Sequence, residues 1–278
     1  MSLEKIWAVE LDILKQIDRV CKKNDISYYA EYGTLLGAVR HKGMIPWDDD
    51  IDISMPRKEY MRFKEVAREE FRHPYAYVDG YTGYAVTPMS KVVRVDTSAV
   101  ERPDLPPEYP QGIFVDVMPL DAVSDDSDEA KLNWLRLLEY WSVIKSPIEV
   151  FDQACAGKQF VLGVDRIIEL AQMQGTDKLR ELEKFALSVE GTSEKINVFL
   201  FQIKSGGGKR DVKWYEETVY LPFEDMEIPA PAGWHEVLSC VYGDYMTPIK
   251  GAGVAHAGAI FDTERPYTYY LDANKKDG

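Results

Sequence analysis

Four aspartates stand within five residues, Asp48, Asp49, Asp50 and Asp52, and the run lies inside an otherwise apolar segment, MIPWDDDIDISMP from Met44 to Pro56. The alternation of this segment predicts a β-strand in which Ile51, Ile53 and Met55 face one side while Asp50, Asp52 and Ser54 face the other. The two aspartates then point the same way. A further strand is predicted at GIFVDVMPL, 112 to 120, apolar on both faces except at Asp116. Two like charges about 4 Å apart repel by about 4 kcal/mol at an effective dielectric of about 20. A fold that gathers Asp50, Asp52 and Asp116 must therefore supply protons or cations, and hard oxygen donors suit Mg²⁺ or Mn²⁺. The plainer reading is a solvated acidic turn before an edge strand, the usual fate of a charge run. The apolar approach through Ile45, Pro46 and Trp47, together with the strand alternation, argues against it.

Just upstream, ISYYAEYGTLLGAV reads as a short strand from Ile26 to Glu31, a Gly33-Thr34 break and a helix from Leu35. Such a break offers an anion close backbone approach, free N–H groups, a hydroxyl and the positive end of a helix. Arg40, His41 and Lys42 form a compact basic cluster soon after it, and Lys91 and Arg94 add two more cations. Each of these cations has a solvated surface as its ordinary alternative.

The rest of the chain reads as alternating helices and strands. Ile6, Val9, Ile13, Ile17 and Val20 form one stripe of a helix from about residue 3 to Lys23. A helix from Arg57 to Phe71, two strands between Tyr75 and Val95, and a Pro-rich loop at Pro103, Pro106, Pro107 and Pro110 follow. Helices from about Glu129 to Glu190, a hairpin made by WYEETVYL and MEIPAP, and a short helix at WHEVLSCVYGDY complete it. This order predicts an α+β protein, a mixed β-sheet flanked by helices, in one domain over 1–278. Its parts are a core at about 1–125, a helical insertion at about 126–200 and a small C-terminal α/β extension at about 201–278.

Composition narrows the function. Lys and Arg number 33 against 47 Asp and Glu, a net charge of −14, which argues against a general nucleic-acid binder. The three cysteines, Cys21, Cys155 and Cys240, are odd in number and widely spaced, so a reducing compartment is expected rather than a disulfide framework. Charges interrupt the apolar residues of the N-terminal segment, and no window approaches a membrane span. The expectation is a soluble, cytoplasmic protein without a transmembrane segment, able to meet a lipid-linked substrate at the inner face of the membrane.

Taken as a whole, YYAEYGTLLGAVRHKGMIPWDDDIDISMPRKEY resembles the signature of the LicD family of phosphorylcholine transferases, relatives of the fukutins within the nucleotidyltransferase-like fold. KVVRVDTSA, GIFVDVMPLD and YGDYM followed by His256 are similar to later blocks of that family. The resemblance implies that Gly33 and Thr34 meet the donor's phosphates, that Asp50 and Asp52 are the acidic-x-acidic metal ligands, and that Asp116 is the third carboxylate. Arg40, His41 and Lys42 fall in the family's basic segment, and phosphate contact is inferred for them and for Lys91. The implied reaction carries phosphorylcholine from CDP-choline to a hydroxyl of a glycan or glycolipid acceptor with Mg²⁺ or Mn²⁺ as cofactor, and CMP leaves. Asp116 is the expected acceptor of the hydroxyl proton.

Choline's quaternary ammonium would rest on aromatic faces, for which Trp47, Tyr84, Trp214, Tyr215 and Tyr245 are candidates. The stripe Trp134, Leu138, Trp141, Ile144 reads better as helix packing, and SGGGKR at 205–210 lacks P-loop spacing. His256, after Gly251 and Gly253, is either a surface histidine or a group reaching the acceptor side. The rival functions are a CDP-ribitol or CDP-glycerol donor on the same fold, a metal-dependent glycosyltransferase, and a non-catalytic nucleotide-binding protein. A glycosyltransferase usually places a βαβ unit before its acidic motif, which this chain lacks room for, and three intact aspartates argue against the non-catalytic reading.

Overall fold

The computed structural model describes residues 2–82, 86–205, 208–248, 256 and 258–274. The chain opens with α1 (Leu3–Asn24), whose buried face carries Ile6, Ile13, Leu14, Ile17 and Val20 and, among them, Glu10. Glu10 lies at the i+4 position from Ile6, so helical geometry places it on the apolar face. After β1 (Tyr29–Ala30) comes α2 (Tyr32–Arg40), capped by Glu31, whose carboxylate accepts the Tyr32 N–H. The strand expected from Ile26 is thus two residues long, and the helix expected from Leu35 starts at Tyr32. Gly33 and Thr34 consequently lie in its first turn and not ahead of it.

β2 (Asp52–Pro56) runs directly into α3 (Arg57–Glu70), and β3 (Tyr75–Asp79), β4 (Ser90–Arg94), β5 (Ser98–Val100) and β6 (Ile113–Ala122) follow. Four helices come next, α4 (Asp128–Lys145), α5 (Pro147–Cys155), α6 (Val164–Gln172) and α7 (Gly175–Ser188). Ser127 caps α4 by accepting the Ala130 N–H, and Asp128 and Glu129 meet the positive helix end. The chain then forms β7 (Lys195–Val198), α8 (Phe199–Ser205), β8 (Arg210–Asp211), β9 (Thr218–Phe223), β10 (Met226–Pro231), α9 (Trp234–Tyr242), β11 (Ile260–Asp262) and α10 (Thr268–Asn274).

One mixed sheet organises these elements in the order β1-β2-β6-β4-β3, with β7 on the far end of β6 and β8 beside β7. Only β2 and β6 pair in parallel; the other pairs of this sheet are antiparallel. All ten residues of β6 are buried, because it has neighbours on both edges and helices against its faces. The β9–β10 hairpin and the β5–β11 pair stand apart from it. β7 and β8 occupy a stretch whose sequence predicts only helix and turn.

The main core joins α1, α2, α3 and the sheet, while α4 to α7 close over a second apolar cluster that includes Leu137, Ile167, Leu182 and Phe199. Trp134, Leu138, Trp141 and Ile144 pack against that second cluster, as helix packing requires. The two bodies are pinned by Lys64 of α3, whose ammonium sits 2.6 Å from the buried Glu183 carboxylate of α7. No helix among the described residues is long and apolar enough to cross a membrane.

Candidate active site

The parallel pairing of β2 with β6 sets Asp52 directly beside Asp116. Strands in register lie about 4.8 Å apart and present paired residues on the same face. The Asp116 N–H donates to the Ile51 carbonyl at 3.0 Å, which locks this register at its open end. Asp50 stands just before β2, not in it, so no strand alternation fixes its direction. Its charge nevertheless acts on both of the others. Burial, then the charges of Asp50 and Asp116, push the Asp52 carboxyl well above the usual carboxylate range. Burial also raises Asp116, with Asp50 adding to the shift and Lys91 opposing it.

Asp48, Asp49 and Asp50 bring one carboxylate oxygen each to within 4.8 Å of one another. Burial and the neighbouring Asp50 raise Asp48 to about 7. Beneath this loop lies Glu10, 2% exposed, its Oε2 without a hydrogen bond among the described residues and its pKa raised by burial and by the three aspartates. Asp116 is in the same position: Oδ1 accepts no hydrogen bond, and its nearest cation is the Lys91 ammonium at 3.6 Å. An all-oxygen set of in-register carboxylates with a buried, unbonded oxygen fits a hard divalent cation.

Gly33 packs closely on the acidic loop. A Cβ built there would lie 2.4 Å from Oδ2 of Asp48, so any larger residue would move that carboxylate. Thr34 has a different place from the one its sequence suggests: buried, its hydroxyl accepts the Asp52 N–H at 2.8 Å and ties α2 to β2. Tyr32 enters the helix at φ +41°, a left-handed conformation that costs a tyrosine about 1–3 kcal/mol and is held by its surroundings. Among them is the Arg210 guanidinium, fully buried, 2.7 Å from Glu31, 3.0 Å from the Tyr215 hydroxyl and 5.2 Å from the Tyr32 ring centre.

The basic residues separate. Lys91, paired with Asp116 across β4 and β6, reaches the carboxylates and lies over the Phe114 ring. Arg94 instead bridges Asp12 and Asp96. Arg40 donates to the Tyr245 carbonyl at 3.1 Å and lies 6.0 Å from the Trp47 ring centre, whereas His41 packs edge-on against Trp47 and Lys42 is exposed. Neither His41 nor Lys42 lines the cavities described below. His256 is not a free surface residue: Nε2 lies 3.4 Å from Asp50, Nδ1 2.7 Å from Glu101, and these carboxylates raise it to about 10.

A cavity of about 660 Å³ opens beside the cluster, lined by Gly33, Asp48, Asp50 and Asp52 at one end and by Tyr32, Phe201, Tyr242, Asn197 and Arg210 elsewhere. A smaller one of about 180 Å³ shares Gly33, Asp48 and Tyr242 with it and adds Arg40, Trp47, Asp244 and Tyr245. Of the aromatic candidates, Trp47 and Tyr245 border the smaller cavity, Tyr215 is buried beside Arg210, and Trp214 packs on Gly233. Tyr84, Gly251, Gly253 and the glycines at 206 and 207 lie outside the described residues. Tyr32, Phe201 and Tyr242 were not singled out by sequence, because an isolated aromatic carries no pattern. Glu10 did carry one, a carboxylate at core spacing.

The segment that carries Asp50, Asp52 and Asp116 is the one that matches a known family. Residues 25–149 match the model described as LicD/FKTN/FKRP, nucleotidyltransferase domain. It is 27% identical over 270 residues to the lipopolysaccharide cholinephosphotransferase LicD of Haemophilus influenzae, a match covering 88% of this chain and 92% of that protein. Uncharacterized proteins of Rickettsia typhi and Rickettsia prowazekii are 44% and 43% identical over 54 residues, about a fifth of each chain.

Proposed function

We propose that this protein transfers phosphorylcholine from CDP-choline to a hydroxyl of a cell-surface glycan or glycolipid precursor, releasing CMP, on a nucleotidyltransferase-like fold. The observation that carries the reading is the in-register pair Asp52 and Asp116 with Asp50 at the mouth of a cavity walled by Gly33. The relative named as a cholinephosphotransferase supports the choice of cargo. Asp50, Asp52 and Asp116 would hold Mg²⁺ or Mn²⁺, which supplies neutralisation of the negative charge on the transferred group.

The chain's own groups do the rest. Gly33 lines the cavity at the first turn of α2, whose positive helix end favours an anion, and with the Asp48 carboxylate beside it a diphosphate would approach together with its cation. Lys91 places a positive charge on the Asp116 side of the cluster. The acceptor oxygen bonds to the phosphorus bearing choline as the bond from that phosphorus to the oxygen bridging to CMP breaks. CMP departs with that oxygen, and Asp116 takes the proton of the attacking hydroxyl. The acceptor is met at the inner face of the membrane by a cytoplasmic protein.

CMP release measured in parallel from CDP-choline, CDP-ribitol and CDP-glycerol with Mn²⁺ and a glycan acceptor tests this. Turnover is expected to be greatest with CDP-choline. Turnover confined to either polyol donor would overturn the cargo, and no CMP from any donor would overturn the reaction.

A further inference from the structure

We infer that the smaller cavity is the cargo subsite and selects a quaternary ammonium; this rests on the donor reading above and names which part of the site reads choline. The two cavities differ in size as the two halves of such a donor do. The larger, about 660 Å³, suits a nucleoside, and the smaller, about 180 Å³, a head group of a few heavy atoms. They share Gly33, Asp48 and Tyr242, so a diphosphate at that junction sends one arm into each.

The lining of the smaller cavity specifies charge. Trp47, Tyr242 and Tyr245 supply aromatic surface, and Asp48 and Asp244 supply two carboxylates against the single Arg40 guanidinium. With Asp244 set against Arg40, the acidic side at Asp48 favours a cation without hydrogen-bond donors, whose methyl groups rest on the rings. The rings are held beforehand. The Tyr245 hydroxyl sits 2.7 Å from Nδ1 of His235, and Arg40 is anchored on the Tyr245 carbonyl at 3.1 Å. Trp47 stands directly before the acidic run, so cargo and phosphate contacts are fixed by one short segment.

The test compares binding of CDP-choline with that of its neutral isostere, in which a tert-butyl group replaces trimethylammonium, by titration calorimetry in the presence of Mn²⁺. CMP binding serves as the control for the nucleoside half. The wild type is expected to favour CDP-choline by about tenfold or more. Trp47→Leu and Tyr245→Leu should each remove most of that preference, and Trp47→Phe should retain it. A wild-type protein that binds CMP but does not distinguish the two donors would overturn the inference and leave the donor reading standing, as would leucine variants that keep the full preference. A wild type that binds neither CMP nor CDP-choline would overturn both.

Discussion

At the scale of single residues, the site is a set of charges kept together against their repulsion. Gly33 packs on the Asp48 carboxylate: Gly33→Ala should displace Asp48, lower kcat/KM for donor turnover at least tenfold, and cost about 1–3 kcal/mol in urea unfolding. The titrating groups give a second expectation. Asp48 is raised from 3.8 to about 7 and His256 from 6.5 to about 10. Within those intervals the folded chain keeps protons that the unfolded chain has released, so stability falls as pH rises through them. Metal-free protein should therefore melt at a higher temperature near about pH 6 than near about pH 9, and Mn²⁺ should narrow the difference. A melting temperature that climbs with pH would contradict this placement of charge. Much of this was legible in the sequence: the acidic run, Asp116 and Lys91 all meet. The bridging of Asp50 to Glu101 through His256 was not, because contacts between residues so far apart in the chain leave no local pattern.

Among the elements, the junction of β2, β6 and α3 decides the geometry. Arg57 at the start of α3 makes two hydrogen bonds of 2.7 and 2.6 Å to Asp121 of β6, both side chains buried. This pair holds the far end of the strand whose near end carries Asp116. Asp121→Asn leaves the guanidinium buried without its countercharge and should cost about 3–5 kcal/mol in denaturant unfolding. A loss under about 1 kcal/mol would show that the pair is dispensable. Period-2 alternation revealed β2, a run apolar on both faces revealed β6, and helical periodicity revealed α1 and α4. Boundaries were less legible. Glu31 caps α2 earlier than its apolar residues begin, which moves Gly33 and Thr34 into the helix. β7 is only four residues long, too short for alternation to stand out beside the helices it follows.

For the molecule as a whole, the helical block and the sheet meet on buried polar contacts as well as apolar ones, with Lys64, Glu183 and the Tyr81 hydroxyl in one cluster. The segment after the block then returns to the sheet as β7 and β8 and carries Asn197, Phe201 and Arg210 to the large cavity, so the site draws on residues far beyond the matched 25–149. The central claim is that Asp50, Asp52 and Asp116 act as one cation-holding unit in donor cleavage. The direct measurement is CMP release from CDP-choline by wild type and by Asp52→Ala during a Mn²⁺ titration. The account predicts Mn²⁺-dependent release by wild type and loss of both Mn²⁺ binding and CMP production in the variant; full activity in Asp52→Ala would contradict it.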